Sequence, residues 1–155
     1  MTQPCRLLVL ALLIALLLPL PARAAVNCSI TTVGVAFGSY NVYSATTLTS
    51  TGSVRFVCSG VGGGGRTVTV RLSRGSAGSY SPRKMFRSAE ALTYNLYLNA
   101  GGTQIFGDGT GGSVQLSTTI FSNQAVTTTI FGRIPPGQDV SVGNYTDTII
   151  ATINF

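Results

Sequence analysis

The sequence predicts an all-β fold, an antiparallel β-sandwich. Three observations carry that prediction. Short runs of alternating apolar and polar residues recur along the chain, the period-two mark of strands buried on one face. Glycine-rich turns separate these runs, and Gly, Thr, Ser and Val dominate the composition, which suits strands joined by tight turns. A sustained helical period is lacking, and many short strands without helices argue for a sandwich.

The first 24 residues stand apart. Arg6 precedes an apolar run from Leu7 to Leu18, followed by Pro19, Pro21 and Ala22-Arg23-Ala24. A basic start, an apolar centre and a small-x-small site together predict a secretory signal peptide over residues 1–24. The run is short for a membrane-spanning helix, which needs about 20 apolar residues. Asn27 stands before Cys28 where a lipoprotein signal would need a small residue. The expected mature chain, residues 25–155, has about 130 residues, enough for one domain with a proper core and too few for two. Losing Arg6 and Arg23 lowers the formal charge from +6 to +4, eight basic against four acidic residues.

The mature segment reads as strands in order. Val33, Val35 and Phe37 alternate into Gly38-Ser39-Tyr40, and Asn41 to Thr51 is polar and loop-like. Val54, Phe56 and Cys58 alternate again, and Val61 to Gly65 is a glycine-rich turn. Thr67 to Leu72 is a strand with Val68, Val70 and Leu72 on one face, and Arg74 to Pro82 is a loop. Met85 to Ala91 hints at a helical turn. Leu92, Tyr94, Leu96 and Leu98 share one strand face, with Tyr97 opposite. Gly101 to Gly112 is a long connection, and Val114–Phe121 and Ala125–Phe131 are further strands. The last run places Ile149, Ala151, Ile153 and Phe155 on one side, and Ile150, Thr152 and Asn154 on the other. The sequence ends inside that half-buried strand, so in a sandwich something has to cover or pair with it.

Cys5 leaves with the leader, and Cys28 and Cys58 remain. An even pair in an exported protein is most simply a disulfide. Two cysteines in a chain without histidine make a poor zinc site, so no metal and no cofactor is expected.

Catalytic chemistry has little material. Histidine, the commonest acid–base group, is absent. The carboxylates are Glu90, Asp108, Asp139 and Asp147, mostly in or beside turns, where Asp satisfies backbone donors. Their spacing does not favour a paired-carboxylate hydrolase. Gly62 to Gly65 with Arg66-Thr67 lacks the Gly-Lys-Ser/Thr ending and the following helix of a phosphate loop. No enzymatic activity is expected, and a periplasmic hydrolase or inhibitor stays open only as a remote class.

Two surface features have a sharp and a plain reading. Arg71, Arg74, Arg83, Lys84 and Arg87 form a basic cluster. They read sharply as a patch for an anionic surface, and plainly as solvated loop charge, which is preferred. Nucleic acid is the least expected target, since export removes the protein from most of it. Ile105-Phe106 reads sharply as an exposed apolar tip, and plainly as an anchor pinning its loop to the core, also preferred. Ile105, Phe106, Arg83, Lys84 and Arg87 are the candidate surface contacts.

Several motifs then recur together in a known order. They are Tyr94-Asn95-Leu96-Tyr97, Phe106-Gly107-Asp108-Gly109-Thr110, Phe131-Gly132-Arg133-Ile134-Pro135 with Gly137-Gln138, and Gly143-Asn144-Tyr145-Thr146-Asp147-Thr148-Ile149. Cys28, the Phe37-Gly38-Ser39-Tyr40 corner and Cys58 fit the same pattern. In these residues, over essentially the whole mature chain, the sequence resembles the spore coat protein U domains of archaic chaperone–usher pilus subunits.

The resemblance implies an incomplete immunoglobulin-like antiparallel β-sandwich lacking its final strand. It implies a periplasmic chaperone that lends a strand, an outer-membrane usher, and a neighbouring pilus subunit whose N-terminal extension replaces the lent strand. The fibre so assembled mediates attachment and biofilm formation at the cell surface. The first-to-second-strand disulfide of the family carries onto Cys28 and Cys58, and no catalytic residue carries over. The donor-strand acceptor edge falls on Ile149, Ala151, Ile153 and Phe155. One departure matters: with cleavage near Ala24, only Ala25, Val26 and Asn27 precede Cys28, too few for a donor extension. That points to a strand acceptor at a terminal, tip position. A self-contained secreted sandwich binding glycan or an abiotic surface is the alternative.

Overall fold

The computed structural model describes residues 25–155. The expected signal peptide, residues 1–24, lies outside the described residues. Eight strands follow in chain order: β1 (Asn27–Val33), β2 (Leu48–Ser59), β3 (Arg66–Leu72), β4 (Arg83–Arg87), β5 (Glu90–Tyr97), β6 (Leu116–Ile120), β7 (Ala125–Ile134) and β8 (Ala151–Asn154). They form a five-stranded sheet, β1-β2-β7-β5-β4, and a three-stranded sheet, β6-β3-β8. All named strand pairs are antiparallel, and the two layers make the expected all-β sandwich.

Alternation sets the core. In β2 Val54, Phe56 and Cys58 are buried, in β3 Val68, Val70 and Leu72, and in β5 Leu92, Tyr94 and Leu96. Ile130 and Ile134 of β7 and Ile120 of β6 complete the layer between the sheets. Each fully buried side chain of this kind contributes about 1.5–3 kcal/mol through removal from water. Cys28 and Cys58 sit opposite each other in the β1–β2 register and are disulfide-bonded across it.

Three local expectations change. The Val33–Phe37 alternation is real, but the ladder with β2 runs from Asn27 to Val33 and ends there. Val35 and Phe37 instead fold over the inner face of the five-stranded sheet, where two glycines make room. A β-carbon at Gly52 would lie 2.5 Å from the Val33 carbonyl oxygen, and one at Gly132 would lie 2.5 Å from Val35 Cγ1. Side chains at 52 and 132 would therefore block this crossing.

The polar stretch Asn41–Thr51 is loop only as far as Thr47, because β2 begins at Leu48. Its hydroxyl residues pair with β7, Thr49 opposite Arg133 and Thr51 opposite Phe131. Met85–Ala91 is not a helical turn. It belongs to the β4–β5 hairpin, with Met85 opposite Leu92 and both buried. The hairpin turns at Ser88-Ala89, where Ser88 has a left-handed φ of 52°.

Candidate functional site

One seam of the sandwich is open. β1 pairs only with β2, and β8 only with β3, so each is an edge of its own sheet. Between them lies a cavity of about 440 Å³, walled by Val33 and Val35 on one side and Ile149 and Ala151 on the other. Its floor is core: Leu72, Met85, Tyr94, Leu96 and Ile130. A second volume of about 620 Å³ continues the groove past Tyr40, Val42, Leu92, Ile134 and Val140. Val35, Phe37, Met85 and Tyr145 line both. A groove lined by core side chains thus runs between two unpaired strand edges.

Backbone direction follows from Ile150. Its N–H donates to Ser73 Oγ at 2.9 Å, and its carbonyl accepts from the Ser73 N–H at 2.9 Å. Successive residues of a strand turn their backbone groups to opposite edges. The N–H and C=O groups of Ile149, Ala151 and Ile153 therefore point away from β3, to the free edge. Their side chains are half-buried against the core. Phe155, the fourth expected inward contact, is 43% exposed and lies past the end of β8. The edge thus comprises Ile149, Ala151 and Ile153.

Asp147 holds the approach to this edge. Its Oδ2 accepts from the Tyr94 hydroxyl at 2.7 Å. Its Oδ1 accepts from the backbone N–H groups of Ser76 and Thr148, each at 2.8 Å, and from Ser76 Oγ at 2.7 Å. Burial, and then the Asp147 carboxylate, push the Tyr94 hydroxyl above its ordinary pKa, so it stays a neutral donor. Upstream, Thr146 pairs with Phe86 through two backbone bonds of 2.8 and 3.1 Å, which covers the β4 edge.

The basic cluster does not assemble into one patch. Arg71 lies on β3, in the three-stranded sheet, and bonds Gln115 Oε1 through Nε at 2.8 Å. Arg83, Lys84 and Arg87 lie on β4 in the other sheet. Arg87 is paired with Glu90 at 3.4 Å. Arg83 is 0% exposed, which overturns its reading as a surface contact. Its guanidinium donates to the Ser73 and Phe106 carbonyls, at 2.9 and 2.6 Å from Nη2, and to Asn95 Oδ1 at 3.0 Å. It also lies 5.0 Å from the centre of the Tyr80 ring. Burial pulls its pKa below the ordinary value, and these neutral acceptors satisfy it in place of an acid.

Phe106 is likewise 0% exposed, so it is the loop anchor rather than a surface tip. Ile105 beside it is half-buried and bridges to Tyr97. Sequence reasoning missed the groove's other wall and floor, Val35, Phe37, Met85, Tyr94 and Leu96. The alternation of Val33, Val35 and Phe37 was the available signal. It shows a half-buried segment, and only the fold shows that the burial is against the opening.

A family model described as the Spore Coat Protein U domain matches residues 15–152. The match begins inside the expected leader. No curated protein matches the chain in sequence. Among solved structures, the chain resembles one from the crystal structure of the CsuC–CsuE chaperone–tip adhesion subunit pre-assembly complex of the archaic chaperone–usher Csu pili of Acinetobacter baumannii. The TM-score is 0.59 at 21% sequence identity, over 84% of this chain and 40% of that one. This likeness is one of fold, and the chain spans well under half the length of that neighbour.

Proposed function

Since the chain belongs to the Spore Coat Protein U domain family, we propose that it is a structural or adhesive subunit of a chaperone–usher surface fimbria. The open seam accepts a β-strand from another molecule, first from a periplasmic chaperone and then, at the outer-membrane usher, from a neighbouring subunit. The observation that carries this reading is the groove itself, an unpaired β8 edge beside a cavity lined by core side chains. An added strand would pair its backbone with Ile149, Ala151 and Ile153, and would place alternate apolar side chains over Leu72, Met85, Tyr94 and Ile130. That is strand addition, in which backbone bonds supply affinity and side-chain pockets supply specificity.

The magnitudes agree with a folding role. At about 1.5–3 kcal/mol per buried apolar side chain, about four donor side chains match the roughly 5–15 kcal/mol that holds a whole domain together. A subunit without its donor is then marginal, and its open edge is an aggregation template. The neighbour in the Csu complex is part of a chaperone–tip subunit assembly, which supports a chaperone as the first partner. Processing near Ala24 would leave Ala25 to Asn27 ahead of Cys28, and the terminal-acceptor position belongs to the same proposal. Mass spectrometry of the mature N-terminus tests that part. A start well upstream of Ala25 would leave a usable donor segment and remove the tip assignment.

The test of the main reading is expression in the periplasm with and without the chaperone, followed by a synthetic donor peptide of alternating apolar residues. The expected result is an insoluble or short-lived subunit alone and a soluble one with either partner. Val35→Asp, which puts a carboxylate into the groove, should abolish the rescue, since a charge buried without a partner opposes binding. A subunit that is monomeric, soluble and reversibly folded without any partner would instead be a self-contained sandwich.

A further inference from the structure

The outer face of the five-stranded sheet carries a second feature, remote from the seam's logic. Phe131 of β7 and Tyr97 of β5 are direct register partners. Their chain neighbours Ile130, Gly132 and Leu96 turn inward and are buried, so both aromatic side chains stand on the outer face. Thr51 of β2 extends this row, opposite Phe131. In the next row Arg133 pairs with Thr49 and Asn95, and its guanidinium lies 5.8 Å from the centre of the Tyr97 ring.

Arg133 is held in a built position. Its Nη2 donates to the Ala100 carbonyl. Gly102, at a φ of 72°, leaves the space the guanidinium fills, since a β-carbon there would lie 2.6 Å from Nη1. Among the described residues no carboxylate forms an ion pair with Arg133. Beside it opens a pocket of about 290 Å³, lined by Tyr97, Arg133, Thr47, Thr93, Ile105 and Pro82 among others, with no acidic residue in its wall.

We propose that this face binds an acidic polysaccharide, a polymer of uronic-acid type. The aromatic row offers apolar ring faces for the C–H side of a pyranose. The Arg133 fork suits a carboxylate, which it can hold through two parallel hydrogen bonds. The pocket, near the lower end of the about 300–1,000 Å³ range for small-ligand sites, suits one sugar unit. Arg55 lies on the same face, six residues along β2 from Thr49, the partner of Arg133. At about 3.3 Å per residue that is roughly 20 Å, so a chain running along the strands meets a cation near each end and aromatic rings between. The face therefore favours an extended anionic polymer over a free sugar. This site does not use the seam, and the subunit is to be tested with its groove filled.

The experiment is retention of the donor-complemented subunit on immobilised polygalacturonate, with the neutral glucan laminarin in parallel. Binding to polygalacturonate that weakens as salt rises, with none to laminarin, is expected. Arg133→Gln should weaken binding at least about tenfold, the worth of one charge-assisted contact, and Arg55→Gln should weaken it less. Arg133→Lys keeps the charge, loses the fork and should fall between. Tyr97→Ala should also weaken binding, and an unchanged melting temperature would separate that loss from misfolding. Absence of retention, equal retention on laminarin, or Arg133→Gln binding as tightly as the parent would overturn the proposal.

Discussion

Asp147 accepts a 2.7 Å hydrogen bond from the Tyr94 hydroxyl, and this pair ties the segment leading into the free edge to the floor of the groove beside it. The same carboxylate takes the Ser76 and Thr148 N–H groups and the Ser76 hydroxyl. One side chain thus joins β5, the loop after β3 and the approach to β8.

Asp147→Ala strands a buried hydroxyl and two backbone donors. Hydrogen bonds to a charged group contribute about 1.5–3 kcal/mol, and unsatisfied buried partners cost about as much. The expected loss is about 2–4 kcal/mol in urea unfolding of the donor-complemented subunit, with a smaller loss for Tyr94→Phe, which keeps the ring. An Asp147→Ala midpoint equal to the parent's would show that the segment is held by other contacts.

Hydrogen exchange should read the edge residue by residue. In the subunit without donor, the amides of Ile149, Ala151 and Ile153 face no partner and should exchange quickly. Thr152, opposite Arg71 in β3, should exchange slowly. Donor peptide should slow the first three and leave Thr152 nearly unchanged. Protection of the opposite set would mean that the backbone polarity of β8 is reversed from that set by Ile150 and Ser73.

Replacing Cys28 and Cys58 by Ser removes a link across 30 residues of chain. The chain-entropy model puts such a link at about 3–4 kcal/mol. Urea titrations of the parent and the double variant, both with donor bound, should differ by that amount. A difference near zero would mean that the β1–β2 ladder alone restrains the unfolded chain as strongly.

Acid should weaken the fold through two carboxylates. The Tyr145 hydroxyl and the Ser141 N–H at 2.7 Å hold Glu90 below the usual carboxylate range. The Thr110 hydroxyl and N–H, at 2.6 and 2.9 Å, do the same for Asp108. A folded pKa below the unfolded one means that the unfolded chain binds protons first as pH falls. The stabilisation is therefore complete above the unfolded values, about 4.3 for Glu and 3.9 for Asp, and is lost as pH drops through the folded values. Melting temperature should be flat from about pH 7 to 5 and fall below. Glu90→Gln with Asp108→Asn should flatten that acid limb, and an unaltered limb would assign it to other groups.

Local pattern made much of the fold legible. Val68, Val70 and Leu72 alternate, and they are one buried face of β3; Leu92, Tyr94 and Leu96 do the same for β5. The even cysteine pair meets in register. Arg83 and Phe106 fail as surface contacts for one reason, that spacing along a chain does not show what lies across from it. Arg83 looked like solvated loop charge until the carbonyls of Ser73 and Phe106 and the amide of Asn95 closed around it. Met85 to Ala91 suggested a helical turn because a short hairpin holds too few residues to display a period of two.

The sequence by itself determined which residues face a core, since that depends on a two-residue repeat and on apolar side chains avoiding water. It also determined the family, through motifs kept in order. Tertiary structure alone decided where the core is left unfilled. Val35 and Phe37 leave the β2 ladder at Val33 and cross over Gly52 and Gly132, and β8 pairs on one edge only. The groove between them is a relation among segments more than a hundred residues apart, set by sheet pairing and close backbone approach.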